Sequence, residues 1–101
     1  MTTHDAKVVW VTVPGKSRPF LPSKERYIGI GRFPEDGPTW PDGAWSVVLQ
    51  FDQPPAEQAE GPMLAKVRFL VEEGPHERLQ PGVRFSVHQA LTKVAEVEVI
   101  G

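Results

Sequence analysis

The sequence predicts an all-β domain, a small six-stranded antiparallel barrel, and three observations carry that prediction. Apolar and polar residues alternate in run after run, the period of a strand with one buried face. Proline and glycine clusters punctuate the chain at the spacing expected between short strands. No stretch sustains the three- and four-residue apolar spacing that an amphipathic helix needs. A barrel is preferred to an open sheet because closure removes exposed strand edges.

Residues 1–5 are polar and expected to fray. The first strand, residues 6–13, is apolar on both faces: Val9, Val11 and Val13 on one, Val8, Trp10 and Thr12 on the other. Pro14-Gly15 ends it, and a long loop follows to Glu25, with Pro19 and Pro22 placed outside any central ladder. The second strand, residues 26–33, holds Tyr27, Ile28 and Ile30, and its Gly29 and Gly31 suggest a bulge or bend. Residues 34–43 form a proline- and glycine-rich loop containing Trp40. The third strand, residues 44–52, turns Trp45, Val47, Leu49 and Phe51 to one side, and residues 53–62 form a polar, acidic, exposed excursion.

The last third is the most regular. In residues 63–71, Met63, Ala65, Val67, Phe69 and Val71 are apolar and Lys66 and Arg68 lie between them. Residues 83–88 repeat the pattern, and residues 93–100 place Ala95, Val97 and Val99 opposite Glu96 and Glu98. Gly74-Pro75 and Pro81-Gly82 bracket the first connection, and the short link around Gln89 to Thr92 suits a hairpin.

A chain of 101 residues makes one domain, 1–101, with a single modest core. It has no cysteine, so disulfides and thiolate metal sites are excluded. No apolar run is long enough for a membrane helix, and the first residues lack the apolar core of a signal peptide. A cytoplasmic protein without membrane contact is the expectation. The net charge of −2 gives no global reason to bind nucleic acid. The charge is unevenly spread, however. Lys16, Arg18, Lys24, Arg26 and Arg32 face only Glu25 between residues 16 and 32, whereas residues 33–65 carry six carboxylates and no Lys or Arg.

The segment Gly82-Val83-Arg84-Phe85-Ser86-Val87-His88, with Lys93 to Ile100 after its turn, resembles the closing hairpin of the third domain of bacterial elongation factor Tu. The strand Ala65 to Val71 is similar to the family strand before that hairpin, and Gly15-Lys16-Ser17-Arg18-Pro19-Phe20-Leu21 looks like the family's Pro-Phe-Phe loop. The order and spacing agree from about Ala6 to Ile100. The resemblance implies a six-stranded antiparallel barrel. It implies neither GTPase activity, for want of a phosphate-binding loop, nor the family's tRNA contacts: the Tyr-Arg-Pro core of that loop is replaced by Ser23-Lys24-Glu25-Arg26-Tyr27-Ile28.

Two loops are candidate partner-binding surfaces. One is the cationic stretch holding Lys16, Arg18, Lys24, Arg26 and Arg32, a composition that a plain solvated loop also shows. The other is the aromatic loop. There Trp40 is expected in solvent, Trp10 and Trp45 in the core, and Phe20 and Phe33 either in a patch or capping the barrel ends. His4, His76 and His88 are scattered without carboxylates at ligand spacing, and His88 falls on a polar face where solvation is expected. Ser17, Ser23, Ser46 and Ser86 lack a nucleophile motif. The sequence therefore points to a non-enzymatic module with no catalytic residues, cofactor or metal. Its expected partner is a protein met at the barrel ends; the alternative is RNA held by the cationic loop.

Overall fold

The computed structural model describes residues 2–101 and is a closed antiparallel barrel of six strands in the order β1-β4-β3-β2-β5-β6. The strands are β1 His4–Trp10, β2 Arg26–Arg32, β3 Ser46–Gln50, β4 Met63–Phe69, β5 Arg84–Gln89 and β6 Thr92–Val99. β6 returns to pair with β1, from Ala6↔Val99 to Trp10↔Ala95, so no strand edge is left open.

Alternation decides which residues fill the cylinder. Ala6, Val8 and Trp10 of β1, Val47 and Leu49 of β3, and Met63, Ala65, Val67 and Phe69 of β4 are all buried. Phe85 and Val87 of β5 and Ala95, Val97 and Val99 of β6 complete the interior. The inward positions of β2 are Tyr27, Gly29 and Gly31, and the glycines leave room for aromatic rings. A Cβ on Gly31 would stand 2.8 Å from the Phe33 ring, and one on Gly29 would stand 2.6 Å from Val87.

The expected bulge is therefore displaced. β2 pairs with β3 in unbroken register from Arg26↔Gln50 to Ile30↔Ser46. The irregularity lies between β5 and β6, where Val87 pairs with Ala95 but His88 pairs with Lys93, leaving Val94 as the extra residue. Val94 and Ala95 are consequently both buried.

Several boundaries also differ from the alternation pattern. His4 and Asp5 are not frayed but belong to β1, because the chain's end ties them down: the Ile100 and Gly101 amides donate to the Asp5 carbonyl at 2.8 and 3.2 Å. β1 stops at Trp10, and Thr12 and Pro19 form only an isolated bridge. β4 stops at Phe69, and Val71 is exposed in the following turn. The proline-rich loop contains a short 3-10 segment, Pro34–Thr39, and two further 3-10 turns are Pro55–Glu57 and His76–Arg78. Residues 53–62 are not wholly exposed: Pro54 and Pro55 are buried, and the Ala56 amide donates to the Pro22 carbonyl at 3.0 Å.

The two barrel ends collect different segments. One end carries the 11–25 loop, residues 51–62 and the tight β5–β6 hairpin; Trp10, Phe20, Tyr27 and Phe51 pack there with ring centroids 5.5–5.9 Å apart. The other carries the 33–45 and 70–83 loops around Phe33, Phe69 and Phe85, with Phe33 stacked on Phe85 at 4.3 Å. Arg78 and Asp36 join those two loops at 3.1 Å, and the same carboxylate accepts the Phe33 amide at 2.7 Å.

Candidate functional site

The five cations of the 16–32 stretch do not converge. β2 runs the length of the barrel, and six residue steps of strand span roughly 20 Å. Arg26 therefore sits at the end that carries the 11–25 loop, and Arg32 near the opposite end. Lys16, Arg18 and Lys24 are exposed in the 11–25 loop.

Lys16 and Arg18 help to form a cleft of about 660 Å³ between the loop and the β5–β6 hairpin. Val13, Phe20, Leu21 and Val94 give it apolar walls, and Ser17 and Gln89 contribute polar groups. The local sequence explains the shape. Thr12 bridges Pro19 and the Phe20 amide donates to the Val11 carbonyl at 3.2 Å, so the loop folds back and drives Phe20 into the Trp10–Tyr27 cluster. The backbone of residues 14–18 is left outside as a projecting turn, held by the Lys16 amide on the Val13 carbonyl at 3.0 Å. Leu91, 68% exposed at the hairpin tip, carries apolar surface beside Ala90 and Thr92 of the cleft wall. Among the described residues, neither Lys16 nor Arg18 has an ion-pair partner. Lys24 and Arg26 line neither this cleft nor the one described next.

A second concavity, about 670 Å³, runs along the outer face of β1, β6 and β5 to Arg32. Glu98 lies between Lys7 at 3.4 Å and Arg84 at 3.7 Å, and Glu96 pairs with Lys93. Ser86 and His88, two residues apart on one face of β5, meet here with Oγ and Nε2 2.8 Å apart. Arg32, the cross-strand partner of Ser86, closes the row.

Trp40 is not in solvent. Its indole N–H donates to the Gly31 carbonyl at 3.0 Å, its ring lies 4.5 Å from the His88 ring, and the Arg32 guanidinium sits over it at 5.1 Å. The loop thus folds a half-buried indole over the outside of the β2–β5 seam. That cover also overturns the expectation of a solvated histidine: His88 is only 5% exposed. Burial, more than Arg32 and Lys93, pushes its imidazole below the ordinary histidine range, and the Leu91 backbone opposes that shift in part. Its Nδ1 has no hydrogen bond of good geometry. Trp45, expected in the core, is only half-buried against it.

Sequence parity could have placed Ser86 beside His88, since residues i and i+2 share a strand face. It could not have brought Arg32 and Trp40 to them. No group of three or more His, Cys, Asp or Glu able to hold a metal occurs among the described residues. Among the described residues, no helix is long and apolar enough to cross a membrane. The chain matches no protein-family model, no curated protein and no solved structure.

Proposed function

We propose that the barrel is a binding module for a short acidic peptide segment of a partner protein, seated in the cleft between the 11–25 loop and the β5–β6 hairpin. The observation that carries this reading is the pairing of apolar walls (Val13, Phe20, Leu21 and Val94) with two cations, Lys16 and Arg18, that pair with no carboxylate among the described residues. An aliphatic or aromatic side chain fills such a cleft, and a neighbouring Asp or Glu meets the cations. A closed barrel offers no edge to a visiting strand, so recognition rests on side chains rather than on strand addition.

Selection of a displayed random-peptide library on the immobilised protein tests the reading. Enriched peptides should pair an apolar side chain with an adjacent carboxylate. Their binding should weaken at least about tenfold in the double variant Lys16→Glu, Arg18→Glu and fall as salt rises. A library that yields no common pattern, or a pattern whose binding ignores both substitutions, ends the proposal. Tighter binding of an unstructured RNA oligonucleotide, lost in Lys24→Glu with Arg26→Glu, would replace it with the nucleic-acid alternative.

A further inference from the structure

The outer groove carries a separate inference. We propose that it is a binding site for the phosphate group of a small molecule, held by Arg32 and Ser86 with His88 behind them as a proton reservoir.

The charges of the groove single out one cation. Glu98 is taken by Lys7 and Arg84, and Glu96 by Lys93. Arg32 lines the same groove, is exposed, and pairs with no carboxylate among the described residues. It is nevertheless oriented, because its guanidinium rests over the Trp40 ring, which is itself fixed by the hydrogen bond to Gly31. A stacked guanidinium with its N–H edge unclaimed is pre-arranged for an oxyanion.

Ser86 and His88 extend that arrangement. Ser86 stands directly across from Arg32 and its hydroxyl is 2.8 Å from the His88 imidazole. When the imidazole is protonated, Nε2–H donates to the Ser86 oxygen and the Ser86 hydroxyl donates outward to the anion. The ring, at the wall of the groove, thus polarises the Ser86 hydroxyl toward the anion. The groups that face His88 are Arg32 from β2, Lys93 and its partner Glu96 from β6, the neutral Trp40 from the loop and the Leu91 backbone from the hairpin. Its nearest charged neighbours are thus cations, and an incoming dianion would offset their opposition to protonation. A phosphate monoester titrates near pH 6, in the range of the histidine itself, so it can arrive as a dianion and draw the second positive charge. A singly charged carboxylate gains less from that coupling.

The test is a titration of the intact protein with inorganic phosphate at constant ionic strength, followed by backbone amide and His88 side-chain NMR. Saturating shifts at Arg32, Ser86 and His88 are expected at millimolar phosphate. So is a rise of the His88 pKa when phosphate is present, and weaker binding of acetate. Arg32→Gln, at an exposed position, should weaken binding about tenfold or more while leaving the amide spectrum folded. His88→Gln should leave only the pH dependence set by the phosphate's own titration. Lys16→Glu with Arg18→Glu should change nothing, which separates this site from the peptide cleft. Shifts that never saturate, that spread equally over Lys16 and Lys24, or that survive Arg32→Gln would overturn the proposal.

Discussion

The two ends of the barrel are closed by similar rings but differ in what they do with charge. At the end holding Phe33, Phe69 and Phe85, the loops are locked by Arg78 on Asp36, with side-chain exposures of only 20% and 7%, and Leu79 of the 70–83 loop is fully buried in the core. At the other end Trp10, Phe20, Tyr27 and Phe51 make the plug, yet Lys16, Arg18, Lys24 and Arg26 have no ion pair among the described residues. A cation partnered inside the fold is part of the scaffold; one held out on a braced loop is free to meet something else. Position in space, not density along the chain, separates the two kinds.

The sharpest way to break that contrast is to empty each plug. Phe33→Ala removes a ring packed against Phe69 and Phe85 and should cost about 3–5 kcal/mol in urea unfolding. Phe20→Ala removes a half-buried ring and should cost about 1–2 kcal/mol. Equal losses would mean that the two ends are equally structural. Next in size is Gly31→Ala. Its new methyl would press on Phe33 at 2.8 Å, and overpacking of this kind should cost roughly 1–3 kcal/mol in the same measurement.

The smallest expected effect is a pH dependence centred on His88. Its folded pKa lies below the ordinary value of 6.5, so the unfolded chain takes up the proton first as pH falls. This contribution is therefore complete above that value and lost below it, until the folded form also protonates. The melting temperature should be lower at pH 5.5 than at pH 7.5, and the difference should shrink in His88→Gln. A difference of the same size in that variant would assign the slope to other groups.

Much of the barrel was legible because strand alternation is a local signal. Met63, Ala65, Val67 and Phe69 declare their buried face within seven residues, and the hairpin of β5 and β6 does the same. Gly29 and Gly31 were legible as exceptions but not as to cause. A glycine serves a bend or a crowded interior equally well, and only Phe33 and Val87 across the space show which. The adjacent pair Val94 and Ala95 holds the true bulge, which alternation reads as one apolar position too many. The candidate sites were less legible. The strand over residues 26–33 was legible, but the linear cluster of Lys16 through Arg32 masked its consequence, that it carries Arg32 away from the rest. His88 looked solvated because Trp40, which covers it, lies 48 residues earlier in the chain.

The seam between β1 and β6 joins the first strand of the chain to the last. During synthesis β1 waits, one side unpaired, until β6 has been made. The ring of hydrogen bonds is completed by β6, a contact of high sequence separation with β1 that slows folding. Interrupted translation before Thr92 would release a five-stranded product with two raw margins, the form of this molecule most prone to stick to its own kind.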